Sequence, residues 1–83
     1  MIPRIKSVQP RENFMLDVVF EDGARVLYDL HDDMDTLPDY DSLKKTEGLY
    51  RNVKLDESRT CVYWNDRIDL PSNTIYEYGK RLA

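Results

Sequence analysis

His31 stands in the densest run of carboxylates in the chain. Asp29, Asp32, Asp33 and Asp35 surround it, and Asp39 and Asp41 follow. An imidazole among carboxylates can ligate a divalent cation or serve as a base oriented by an acid. The competing reading is a solvated segment whose aspartates cap turns. A calcium loop needs oxygen ligands at alternate positions and a glycine at the sixth. Counted from Asp33 the sixth residue is Pro38, and counted from Asp39 it is Lys44, so that pattern fails twice. Cys61 is the one cysteine, and a nucleophilic thiol would need a base, for which His31 is the only histidine. Cys61 lies in a run of strand character, where a buried, inert thiol is the commoner outcome. No phosphate-binding loop, dinucleotide fingerprint or serine elbow occurs. No catalytic residue, metal ligand or cofactor is therefore assigned. An enzyme or metal protein built on His31 and the Asp29–Asp41 acids remains as an alternative, and it requires His31 to meet at least two carboxylates.

Aromatic residues supply the other candidates. Six tyrosines and Trp64 are many for 83 residues. Tyr and Trp are enriched at binding hot spots, and in small domains they also fill the core with a polar tip outward. Trp64 shares parity with Val62 and is read as core or rim. Tyr63 lies on the opposite face with Cys61, and Tyr76 falls off the Ile75–Leu82 stripe, so both are read as exposed. The candidate partner-binding set is Asp32, Asp33, Asp35, Asp39, Tyr63 and Tyr76.

These residues need elements to position them. Phe14, Leu16, Val18 and Phe20 alternate along one face of a strand. Asp22-Gly23 is a hairpin turn signal, and Arg25 to Leu30 forms the return strand. Arg4 to Val8 reads as a shorter strand closed by Pro10 and Asn13. The stretch from Asp29 to Asp41 is expected to be a loop with one helical turn near Asp33–Leu37. Asp41 or Ser42 is expected to cap a short helix to about Glu47, ended by Gly48 in the left-handed conformation. Val53 and Leu55 suggest a strand, residues 56–59 a turn, and Thr60 to Trp64 a β-branched and aromatic strand. Asn65-Asp66 turns the chain into a short strand from Arg67 to Leu70. Pro71 suits the first turn of a helix. Ile75, Tyr78, Gly79 and Leu82 fall on one helical face. Gly79 there either permits close packing or ends the helix. The order is β-β-β-α twice, with halves at about 1–48 and 49–83. The expected fold is a single α+β domain of residues 1–83: duplicated β-β-β-α units, antiparallel meanders and two short helices.

Composition narrows the function classes. Apolar residues at 41% and charged residues at 34% fit a soluble globular chain. No apolar run approaches the roughly 18 residues of a membrane span, and the first six residues have no signal-peptide core. One cysteine excludes an internal disulfide and fits a reducing, cytoplasmic setting. The net charge of −4 disfavours a generic nucleic-acid binder. Residues 29–41 hold six acids and no Lys or Arg, while the remainder holds ten acids and twelve bases. The acidity is therefore local, and a basic partner docking by charge is expected there.

The second half carries a resemblance. Trp64-Asn65-Asp66-Arg67-Ile68-Asp69-Leu70-Pro71, followed by Ile75-Tyr76-Glu77, resembles the closing signature of the bacterial family catalogued as domain of unknown function 2442. The hairpin Val18-x-Phe20-x-Asp22-Gly23, the Tyr28-Asp29-Leu30 step and the Leu43…Leu49…Val53 positions match the same pattern, so nearly the whole chain is covered. Many members have Gly in the turn after the Trp, where this chain has Asp66-Arg67. The motifs are structural rather than catalytic. The resemblance implies a β-β-β-α duplication and a frequent genomic neighbour, a short protein catalogued as domain of unknown function 4160, in a toxin–antitoxin-like arrangement. Some relatives add a helix-turn-helix domain. The residues up to Ala83 hold none, so no direct reading of DNA is expected.

Three functions follow as expectations. The first is a non-enzymatic protein-binding module, the antitoxin-like half of a two-gene system, masking a small partner with a basic surface. The second is the His31 enzyme or metal protein. The third is a homo-oligomeric structural protein pairing by edge strands. No nucleic-acid or membrane partner is expected.

Overall fold

The computed structural model describes residues 2–82. Met1 and Ala83, the two ends of the expected 1–83 domain, lie outside them. The chain first builds an antiparallel meander from β1 (Ile5–Arg11), β2 (Met15–Phe20) and β3 (Arg25–Asp29). Alternation makes this sheet, because Leu16, Val18 and Phe20 on β2 and Val26 and Tyr28 on β3 are buried on one face. The β2–β3 turn forms as Asp22-Gly23 dictates. The Gly23 N–H donates to the Phe20 carbonyl, the Ala24 N–H donates to the Asp22 carboxylate at 2.8 Å, and Gly23 takes φ +94°.

β1 runs past the expected stop at Pro10, and Pro10 stands opposite Leu16. β1 is an edge strand, where the missing proline N–H leaves no ladder bond unmade. At its start the free edge is covered, since the Ile5 N–H donates to the Arg59 carbonyl at 2.7 Å.

The Asp29–Asp41 stretch is helical rather than a loop. It forms α1 (His31–Thr36) and a 3-10 turn over Pro38–Asp41, leading into α2 (Ser42–Lys45). Propensity misses this because tertiary anchoring decides it. Leu30, Met34, Tyr40 and Leu43 are buried, and each turn is held to the core by one of them. Asp32 and Asp33 occupy the first turn of α1, where negative charge suits the backbone dipoles. The expected cap at Asp41 or Ser42 is absent: Asp41 makes no side-chain cap bond, and its carboxylate pairs with Lys45 and Lys44 instead. α2 stops at Lys45, short of the expected Glu47, with Thr46 extended after it, so Gly48 takes φ +80° in the turn beyond and does not end the helix.

A second antiparallel sheet follows, β4 (Lys54–Leu55), β5 (Cys61–Tyr63) and β6 (Asp69–Pro71). Its β5–β6 turn closes without glycine, because the Asn65 side-chain oxygen accepts the backbone N–H groups of Arg67 and Ile68 at 2.9 and 3.0 Å. Pro71 ends β6 and immediately precedes α3 (Ser72–Tyr78), instead of lying in its first turn. The structure is thus α+β, and the described residues form two antiparallel sheets and three short α-helices where two helices were expected.

The Ile75–Leu82 stripe is not realised. α3 ends at Tyr78, Ile75 alone of the four side chains is fully buried, and Tyr78 is 77% exposed. Beyond Gly79 the chain extends as β7 (Lys80–Arg81), which pairs with β3 and completes the first sheet in the order β1-β2-β3-β7. Gly79 serves both alternatives at once. It ends the helix, and a β-carbon there would overlap Val26 Cγ1 and lie 2.7 Å from the Ile75 carbonyl.

One hydrophobic cluster joins both sheets, from Ile5, Leu16 and Phe20 to Val62, Trp64, Ile68 and Ile75. Trp64 is 2% exposed, and its indole N–H donates to the Tyr50 carbonyl at 2.9 Å. The buried Ser72 hydroxyl donates to the Pro3 carbonyl at 2.6 Å, which ties the start of α3 to the start of the chain.

Candidate functional site

The acidic segment wraps α1 and the turn after it, and its six carboxylates divide into two groups. Four have protein partners. Asp29 accepts the His31 backbone N–H at 2.8 Å and lies 2.5 Å from His31 Nδ1. These two contacts, the backbone one foremost, hold its carboxyl below the usual range. Asp33 accepts the Tyr28 hydroxyl at 2.7 Å, and burial together with that carboxylate pushes the phenol well above its ordinary value. Asp41 pairs with Lys45 at 2.6 Å and Lys44 at 3.5 Å, and the Lys45 bond depresses its carboxyl. Asp35 has Lys44 at 3.8 Å. Asp32 and Asp39 face solvent, and among the described residues neither carboxylate has an ion-pair partner.

Among the described residues His31 therefore meets a single carboxylate, where the enzyme or metal reading requires two. Among the described residues no group of three His, Cys, Asp or Glu side chains converges as a metal would need. The His31 ring packs edge-on against Phe14 at 6.0 Å. Cys61 is half-buried on β5, its charged neighbours are Asp69 and Asp56, and burial pushes its thiol up.

The two tyrosine candidates differ. Tyr63 is half-buried, with the Lys54 ammonium 6.0 Å from its ring centre. Tyr76 is committed internally. Its ring meets Phe20 edge-on at 4.9 Å, the Arg81 guanidinium lies 4.8 Å from it, and its hydroxyl donates to Asp22 at 2.7 Å. Parity along α3 hides this, because β7 folds back and brings Arg81 over a ring that the helix alone would leave bare. The exposed tyrosine is Tyr78. The six candidates consequently do not form one site: the four aspartates share α1 and its following turn, while Tyr63 and Tyr76 belong to other elements.

A cluster that the motif reading missed lies on the outer side of the first sheet. Asp17, on β2, is 6% exposed although it points away from the core. It accepts from Arg11 Nε and Nη2 at 3.2 and 3.0 Å, and from Arg25 Nε and Nη2 at 3.1 and 2.7 Å. The Arg25 bonds, then those of Arg11, outweigh the burial that opposes ionisation and lower its carboxyl. The hairpin register carries the signal for this cluster. With Asp22-Gly23 at the turn, Asp17 stands opposite Leu27 and diagonal to Arg25.

One family model matches residues 5–81, that described as protein of unknown function, DUF2442. The chain belongs to this family. Neither the curated proteins nor the solved structures include a significant match. For a DUF2442 protein the positions that carried the resemblance are architectural here. Trp64, Ile68 and Leu70 are buried core, Asn65 closes a turn, and Asp22-Gly23 turns the first hairpin. Among the described residues no helix is long and apolar enough to cross a membrane.

Proposed function

We propose that this DUF2442 chain is a non-enzymatic protein-binding module, the antitoxin-like half of a two-gene pair, acting in the cytoplasm on a small protein with a basic surface. The observation that carries the reading is the acidic surface of α1 and its following turn. Asp32, Asp35 and Asp39 are all exposed there, and two of them lack any ion-pair partner among the described residues. Charge of one sign gathered on one short segment raises the rate of encounter with an opposite charge more than it raises affinity. Lys44 and Lys45 pair with Asp35 and Asp41 and neutralise that part of the surface, so Asp32 and Asp39 carry the contact. Nucleic acid and membranes are not partners in this reading.

Pairing of copies by edge strands is the weaker reading. β1 carries Pro10, Lys6 and Arg11, and Arg59 covers its start. Such features blunt an edge.

The test is co-expression with the product of the neighbouring gene, followed by size-exclusion at low salt. Co-elution that is lost in Asp32→Lys/Asp39→Lys, with the fold retained by circular dichroism, is the expected result. Two proteins that never co-elute at low salt would remove the reading.

A further inference from the structure

We propose that Arg11 and Arg25, on the outer side of the first sheet, form an oxyanion site that receives a carboxylate presented by an acidic segment of a protein partner. The proposal rests on the reading of the chain as a protein-binding module, and it places a second contact on a face remote in charge from the acidic helix.

Asp17 needs one arginine and has two. Each guanidinium carries five N–H donors, of which Nε and one Nη2 hydrogen go to Asp17. Among the described residues the Nη1 edge of both has no partner, and both side chains are about half exposed, at 51% and 48%. Two cations around one carboxylate leave the cluster with a net positive charge. The remaining polar neighbours in this depression, Ser7 and Gln9, also carry donors. The register puts Ser7 opposite Val19 and Gln9 opposite Asp17, hence on the same face. A carboxylate fits this arrangement because its two oxygens match the planar fork of a guanidinium.

Asp17 acts as the positioning residue. It is buried on β2, between the strands that carry Arg11 and Arg25, and fixes both guanidiniums before any ligand arrives. Two otherwise flexible side chains then lose less freedom on binding. A cross-strand ion pair that served the sheet alone would be complete with Arg25, whose Nε and Nη2 span both Asp17 oxygens.

The experiment follows the Nε–Hε signals of Arg11 and Arg25 by NMR at low salt. The probes are a capped glutamate-rich peptide, its glutamine counterpart, sodium acetate and inorganic phosphate. The expected result is a saturable shift of both signals with the glutamate peptide, none with the glutamine peptide, and weaker effects of acetate and phosphate. Arg11→Gln and Arg25→Gln should each bind the peptide about tenfold more weakly, while Lys54→Gln on the other sheet should bind it unchanged. Each arginine variant leaves Asp17 one partner, and Arg11→Lys keeps the charge while removing the fork, so it too should weaken binding. The proposal is overturned by the absence of a saturable shift with the glutamate peptide, or by equal affinity in the arginine variants. Phosphate or acetate binding as tightly as the peptide overturns the protein-borne source and leaves a free-anion site. Because no native partner is used, these outcomes stand apart from the co-elution test of the acidic helix.

Discussion

Replacing Gly79 by alanine tests how the second half of the chain is closed onto the first. Gly79 has φ −76° and ψ 166°, which any residue adopts without strain. At an open position of that kind, Gly→Ala stabilises by about 0.4–1 kcal/mol, because the unfolded chain loses freedom. Gly79 is not open. The added methyl would overlap Val26 Cγ1 and sit 2.7 Å from the Ile75 carbonyl, which already accepts the Gly79 N–H at 2.9 Å. Val26 is fully buried at the centre of the first sheet and opposite Arg81, so it has little room to yield. Overpacking of this kind costs about 1–3 kcal/mol, and each kcal/mol lowers the melting temperature of a domain this size by about 4–8 °C. The assay is urea unfolding followed by circular dichroism, with Val26→Ala as the second leg of a double-mutant cycle. Removing Cγ1 relieves the larger overlap, so Gly79→Ala should cost at least about 1 kcal/mol less in the Val26→Ala background. Gly23→Ala is the control of opposite cause. Nothing lies within 4 Å of its β-carbon, but φ is +94°, so its cost of about 1–2 kcal/mol comes from the backbone alone. A stabilised Gly79→Ala, or a cycle without coupling, would refute the close approach of α3 and β3.

Three other outcomes follow from the geometry. Trp64→Phe removes the bond to the buried Tyr50 carbonyl and should cost about 2–3 kcal/mol. The native fluorescence of this single tryptophan should be blue-shifted and resist iodide quenching. Asp17 has a depressed folded-state pKa, so its contribution is full above the ordinary carboxylate range and is lost as pH falls below that range. Asp17→Asn should therefore flatten the acid limb of a stability–pH curve measured by urea titration, and an unchanged limb would contradict the ion cluster. Burial raises the Cys61 thiol. Its reaction with a disulfide reagent at pH 8 should be slower than that of free cysteine and recover that rate in denaturant.

The parts that were legible in the sequence are those that neighbours along the chain decide. Alternation at Leu16, Val18 and Phe20 made β2 readable, and Asp22-Gly23 set the register of β3. Thr60 to Trp64 declared β5. The family pattern was legible for the same reason, because it is made of turns and core positions. The helical character of residues 31–41 was legible only as one turn near Asp33–Leu37. Aspartate has low intrinsic helix preference, and only the core beneath Leu30, Met34 and Tyr40 outweighs that.

In the same way the sequence placed Asp32, Asp35 and Asp39 on one segment, since their spacing is local. It could not show that Asp33 belongs to Tyr28, or Asp35 to Lys44, because those pairings depend on how α1 meets β3 and α2. The fate of α3 makes the same division clearest. Spacing alone continued a helix through Gly79 to Leu82, since nothing local opposes it apart from one glycine. The tertiary structure ends it at Tyr78, where Val26 leaves no space for a helix with a side chain. It then turns Lys80–Arg81 into the fourth strand of a sheet begun more than fifty residues earlier. A two-residue charged strand has no pattern of its own. It exists because β3 offers unpaired backbone groups, and that is a property of the folded sheet rather than of the residues that complete it.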